Sequence, residues 1–236
     1  MQLDRRLFNG KLQSSIVYPE FFPLAGGETV VNLGCGVGPQ AVTYTGKFSR
    51  MVGVDLNAER LEASKILLAE HGVQNYETLC APVEKTGLPD ASFDKALAID
   101  IIEHLPDPLG ILIEAHRLLK PGGELLVSVP AMHDHYVHFA KAIAKLLGRK
   151  TKDTPHGHLD AHNSEYSVDG WLRLMAQTPM KVMRTRATTL WPPFHLYGSP
   201  RFWFTNPVLH AIDTRLCTLP VLKRFGQAYL VVLRKP

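Results

Sequence analysis

Residues Glu28–Gln40, ETVVNLGCGVGPQ, decide how the chain folds. Val30, Val31 and Leu33, interrupted by Asn32, make an apolar run of strand length that ends at Gly34, and Gly36 and Gly38 follow at alternate positions. Pro39 stands where its fixed φ and missing amide hydrogen suit the first position of a helix. The pattern reads as a strand, a tight turn and a helix N-terminus. A turn leaving a buried strand so abruptly needs positive φ, and a ligand laid on the backbone needs the Cβ to be absent; glycine supplies both at Gly34 and Gly36. The amides left without helical partners are expected to point into the crevice above the strand.

A second apolar strand, Met51–Val54, ends at Asp55, 21 positions after Gly34. A carboxylate placed there can accept both hydroxyl hydrogens of a ribose, which implies a nucleoside-bearing ligand. The dinucleotide fingerprint is GxGxxG, whose third glycine lets helix and strand pack closely. This chain has GxGxG, with Pro39 in the place of that last glycine. Asn57 then caps a helix carrying Leu61, Ile66 and Leu67, and Gly72 ends it. A short helix over Ala41–Gly46 completes an alternation of strands and helices that builds a parallel sheet covered on both faces, with ligand sites at the carboxyl ends of the strands.

Three longer blocks follow. Glu77–Asp100, ETLCAPVEKTGLPDASFDKALAID, carries the end of a short strand, Tyr76–Leu79, and the turn LPDASFD. Lys95–Pro108, KALAIDIIEHLPDP, is a buried strand that delivers Asp100, Ile101 and Ile102 to the crevice, with Glu103 and His104 next. Pro106 and Pro108 open a helix over Leu109–Lys120. LLKPGGELLVSVP reads as a helix stop, a glycine turn and a fifth strand. Together with the glycine turn, these blocks resemble the class I S-adenosylmethionine-dependent methyltransferases, within the small-molecule group that includes the ubiquinone-biosynthesis type. The resemblance runs from about Val30 to Pro130.

It implies an α/β fold: a Rossmann-like, seven-stranded, mostly parallel sheet with helices on both faces and a C-terminal antiparallel strand pair, here Met180–Leu190 and Gly226–Arg234. It implies S-adenosyl-L-methionine as cofactor, held by Asn32, Gly34, Cys35, Gly36, Gly38, Asp55, Leu56, Cys80, Ala81, Pro82, Asp100 and Ile101. Two positions depart from the family pattern. Aspartate is common at the place of Cys80, where it accepts from the adenine amino group. A thiol is a weak acceptor, so the Ala81 amide and the pocket shape are expected to carry more of the recognition. Aspartate is also common at the place of Asn32; asparagine keeps the oxygen but loses the charge that attracts an ammonium.

The activity implied is methyl transfer to a small-molecule or lipid-like acceptor. Holding nucleophile, methyl and sulfur in line supplies much of the rate, and a hydroxyl nucleophile gains from a base. The candidate bases are His104 after the fourth strand and His133 and His135 in the loop after the fifth, with His104 alternatively fixing its own loop. The run HDHYVH follows no established ligand spacing, so no metal is expected. Two other functions stay open: a nucleoside-binding partner subunit without turnover, to which Asn32 and Cys80 point, and an NAD(P) oxidoreductase, which the glycine spacing disfavours.

The chain has 236 residues, 45% hydrophobic and 20% charged, the composition of a globular protein with one full α/β core. A single methyltransferase domain over 1–236 is expected, with an N-terminal cap at 1–27, a cofactor-binding core at 28–130, and a substrate side at 131–236 that contains an insertion at 191–225. Residues 1–140 carry 11 Lys+Arg against 17 Asp+Glu, and 141–236 carry 15 against 5, so a net −6 adjoins a net +10. All three tryptophans lie in the second part. A basic, aromatic-rich side fits an anionic substrate or peripheral contact with a membrane; a homodimer contact is the alternative for the insertion. Nucleic acid is not expected as a substrate, because no base-methylation motif such as an NPPY-like tetrad is present. Residues 148–163, polar and basic, read as a loop able to close over substrate. Cys35, Cys80 and Cys217 are odd in number and far apart, which suits a cytoplasmic protein. The first residues lack the apolar core of a signal peptide, and no apolar run reaches the length of a membrane span.

Overall fold

The computed structural model describes residues 19–131, 166–190 and 206–236, with positions 142, 143, 145, 146 and 148. Strand β1 (Thr29–Leu33) runs through the glycine turn into helix α1 (Pro39–Thr43); β2 (Arg50–Asp55), α2 (Ala58–Glu70), β3 (Tyr76–Cys80) and β4 (Phe93–Ala98) follow. After a 3-10 turn at Ile102–His104 come α3 (Pro108–Leu118), β5 (Leu119–Pro130), α4 (Val168–Met175), β6 (Lys181–Ala187), α5 (Pro207–Leu216), a 3-10 turn at Leu222–Phe225 and β7 (Ala228–Arg234). They form one seven-stranded sheet in the order β3-β2-β1-β4-β5-β7-β6. β1 to β5 are parallel to one another, while β7 is antiparallel to both β5 and β6. The expected fold class is the observed one.

Local chemistry sets the element ends. Asn57 accepts the amide of Arg60 at 2.9 Å and starts α2, Asp107 accepts from Leu109 at 3.0 Å at the start of α3, and Ser167 accepts from Gly170 at 3.2 Å at the start of α4. α1 begins at Pro39 rather than Ala41 because proline itself occupies its first turn.

Alternation along the strands divides the core in two. Val31, Leu33, Val127 and Val231 face one side and pack with Ile111, Leu112, Ala115, Trp171 and Met175 of α3 and α4. Val30, Leu126, Leu230 and Val232 face the other, packing with Phe22, Tyr44, Leu67 and Leu68. Of the expected N-terminal cap at 1–27, residues 1–18 lie outside the described residues.

On this second side Glu124 lies buried among three cations. Lys95 of β4 and Arg234 of β7 are its register partners and reach it at 2.7 Å each, and Arg184 of β6 reaches it at 3.4 Å. Burial pushes the Glu124 carboxyl up, but the three hydrogen-bonded cations outweigh it and bring it to about 2. A carboxylate titrating lower in the native chain than in the unfolded one stabilises the fold fully above about pH 4.5, and the gain is lost as pH falls towards 2. Glu124→Gln should therefore cost about 2 kcal/mol at pH 7 and flatten that acid limb in urea denaturation. Equal stability of variant and wild type at both ends of the range would mean that the cluster does not hold the strands together.

Candidate cofactor site

The register brings the predicted residues to one line. Leu33 pairs with Val54 and with Ala98, and Asp55 pairs with Cys80, so the carboxyl ends of β1, β2, β3 and β4 lie side by side. The glycine turn closes over this end. Gly34, Gly36 and Gly38 have φ of 72°, 54° and 75°, each in the region that favours glycine. A Cβ on Gly34 would stand 2.4 Å from Cγ1 of Ile101, so that side chain is seated directly against the turn. A Cβ on Gly36 would meet nothing within 4 Å. The turn is thus filled by protein at Gly34 and open at Gly36.

The turn amides do not all face the crevice, contrary to the expectation from sequence. Gly34 and Cys35 both donate to the carbonyl of Val54, at 2.8 and 3.0 Å, and Gly38 donates to Cys35 at 2.8 Å. The Gly36 amide donates to Oδ2 of Asp55 at 2.8 Å, while Oδ1 of the same carboxylate accepts from Asn57 at 2.9 Å. Asp55 therefore ties the glycine turn to the start of α2. Each oxygen keeps a further lone pair, since a carboxylate offers about four acceptor positions.

Other predicted residues have partners that the sequence did not reveal. The Ala81 amide, expected to meet a base, donates to the carbonyl of Asp55 at 3.3 Å. Cys80 is exposed and its thiol lies 3.5 Å from the carbonyl of Leu56, whose side chain is also exposed, as is Pro82. Asn32 is buried on the second core face; its amide nitrogen donates to Gln40 at 3.1 Å, and its Oδ1 has no hydrogen-bond partner. Cys35 is buried, and desolvation pushes its thiol up to about 12 despite a hydrogen bond with Tyr76, so it is no nucleophile at neutral pH. Asp100 has φ of 51° and accepts from the Ser128 hydroxyl at 2.7 Å, which fixes the backbone that carries Ile101 over Gly34. His104 is half-buried in the 3-10 turn; His133 and His135 lie outside the described residues.

Sequence reading passed over Glu103 in favour of its neighbour. The 3-10 turn buries this side chain to 5% exposure, and its Oε2 has no hydrogen-bond partner. Burial, with a smaller contribution from the Asp100 charge and against its own backbone amide, lifts the carboxyl to about 7. The signal for it in the sequence is an acid flanked by the apolar run AIDII and by Leu105, a place that leaves a carboxylate short of water.

With this geometry in place, similarity to known proteins is informative. Residues 31–127 match the family model described as a methyltransferase domain. Over this stretch the chain is similar to methyltransferase domains. A ubiquinone biosynthesis O-methyltransferase of Pseudomonas paraeruginosa is 30% identical over 132 residues, covering 54% of this chain and 56% of that relative. The chain thus spans about half the length of the curated relatives it matches. Among solved structures, geranyl diphosphate methyltransferase in complex with S-adenosylmethionine has a TM-score of 0.64 at 17% identity, covering 98% of this chain and 86% of that one. A methyltransferase bound to the Trm112 activator of Haloferax volcanii has 0.66 at 18%, covering 98% and 95%. These likenesses are likenesses of fold. The matched domain contains the crevice formed by Gly34, Gly36, Asp55 and Ile101.

Glu103 makes a stability prediction that needs no acceptor. Its native carboxyl keeps a proton up to about pH 7, whereas the unfolded one loses it near 4.5, so stability should fall as pH rises through that window. Glu103→Gln should match the wild type at pH 4 and exceed it at pH 8 by up to about 3 kcal/mol in chemical denaturation. A variant no more stable at pH 8 would show that this carboxylate is not held unpaired.

Proposed function

We propose that the protein transfers the methyl group of S-adenosylmethionine to a hydroxyl of a small-molecule or lipid-like acceptor in the cytoplasm. The observation that carries this reading is the turn itself, blocked at Gly34 by Ile101, open at Gly36, and braced by an Asp55 carboxylate with acceptor capacity to spare. Relatives named as ubiquinone biosynthesis O-methyltransferases support a small-molecule hydroxyl as the acceptor group.

The donor supplies an electrophilic methyl on a sulfonium, and the protein supplies position and proton handling. Asp55 would accept from the ribose hydroxyls through its remaining lone pairs. The orphaned Oδ1 of Asn32 is an acceptor that an ammonium would satisfy, without the charge that an aspartate would bring. Cys80, Ala81 and Pro82 would border the adenine, and Leu56 would lie over the nucleoside. Glu103, beside His104 in the sequence, would take the acceptor's hydroxyl proton on Oε2, since a base that titrates near neutrality is matched to that task. His104, His133 and His135 are the competing bases.

A partner subunit that binds the nucleoside without turnover is the second reading. The missing aspartate charges at Asn32 and Cys80 favour it, and one structure of similar fold was solved with an activator protein. Both readings share the crevice and differ in turnover.

Incubation with methyl-labelled S-adenosylmethionine and a panel of phenolic and lipid-extracted acceptors tests the proposal. The wild type should form a labelled product, and Gly36→Ala should lower kcat/KM at least about tenfold while costing only about 1–2 kcal/mol of stability, because its Cβ enters open space at positive φ. Product formation should rise with pH through about 7 and lose that limb in Glu103→Gln. A folded, cofactor-binding protein that labels no acceptor would favour the partner-subunit reading.

A further inference from the structure

Among the described residues, helix α5 is fastened to the body along one side. Asp213 and Cys217, four residues apart, are its buried seam: Asp213 accepts the amide of Leu190 at 3.0 Å, and the Cys217 carbonyl accepts that of Ala187 at 2.9 Å. The opposite side carries Val208, Ala211, Ile212 and Arg215, spaced i, i+3, i+4 and i+7, which puts them on one stripe. Val208 is 65% exposed and Ile212 50%, and both line one shallow, open concavity with Arg215. The chain beyond the helix continues the character, with Leu219, Val221 and Phe225 exposed as well. A helix on the surface of a globular protein ordinarily turns its polar face outwards; this one turns its apolar face outwards.

The charges select the occupant. Asp213 is the only acid between residues 206 and 225, and the fold turns it inwards. Outside it remain His210, Arg215 and Arg224, with Lys223 half-buried and donating to Thr185, and Arg224 reaching Asp169 at 3.0 Å. The outward face of α5 is therefore apolar, with the Arg215 cation on its stripe and no carboxylate of its own. A protein partner would need a complementary acidic and apolar patch, whereas an anionic lipid surface offers headgroup charge and acyl burial together. Among the described residues no helix is long and apolar enough to cross a membrane, so the contact would lie on the surface.

We propose that the outward face of α5, with the turn that follows it, docks this protein on an anionic lipid surface. Val208 and Ile212 enter the headgroup boundary, and Arg215 meets the lipid phosphates. The inference deepens the lipid-like acceptor reading and rests on it for its purpose, since docking would bring the protein to an acceptor that resides in the bilayer.

Flotation of the full chain with vesicles tests it, using neutral phosphatidylcholine alone and the same lipid with about 30% phosphatidylglycerol. The chain should float with the anionic vesicles, release with added salt, and stay behind with the neutral ones. Val208→Asp combined with Ile212→Asp should weaken vesicle binding at least about tenfold, and Arg215→Glu about fivefold with a shallower salt dependence. Binding of S-adenosylhomocysteine, measured in parallel, should be the same in all variants, which separates lost docking from lost fold and from failure of the methyltransferase reading. Absent or equal binding to both vesicle types by a folded protein would overturn the proposal. So would variants that alter the oligomeric state in sedimentation yet float like the wild type, because the face would then belong to a second copy of the chain.

Discussion

The carboxylate of Asp55, accepting the amides of Gly36 and Asn57, is the constraint on which the rest of the site depends. A glycine-rich turn is entropically costly to hold in one shape, because its residues have the most freedom to lose. Here it is held from three sides. The Val54 carbonyl takes two of its amides, Asp55 takes a third, and Ile101 occupies the space above Gly34. Each of these groups stands at the carboxyl end of a neighbouring parallel strand or just beyond it, so the sheet register fixes the turn as firmly as the turn's own sequence does.

Bracing the turn in this way also consumes part of the donor set that a ligand would otherwise meet. Amides that a local reading assigns to the crevice are already used to join β1 to β2. What stays open is backbone space at Gly36 and acceptor capacity on Asp55 and Asn32. Across the same end of the sheet, Glu103 is placed at a cost. An unpaired buried carboxylate destabilises the native state at neutral pH, and such a cost is commonly met where a residue serves chemistry rather than stability.

Much of this was legible in the sequence, for a physical reason. Glycine, proline and the capping residues act over two to four positions, so the strand-turn-helix at Gly34–Pro39 and the cap at Asn57 could be read directly. The apolar runs of strand length gave the sheet, and the order of blocks gave its parallel topology. Non-local pairing was not legible. The amide of Ala81 reaches Asp55 only because β2 and β3 lie in that register, and Glu124 meets cations from three other strands. Glu103 looked like an ordinary loop acid beside a more conspicuous histidine. The basic and aromatic character of the C-terminal part was evident from composition, but that Asp213 points inwards and leaves α5 with an outward face free of acids required the packing.

Calorimetric titration of the purified protein with S-adenosylhomocysteine, with NAD and NADP as controls, decides whether this crevice holds the S-adenosyl group. Assigning the crevice to that group predicts micromolar binding of S-adenosylhomocysteine and none of either dinucleotide. Binding of a dinucleotide, or no binding of S-adenosylhomocysteine by a protein shown to be folded, would contradict it.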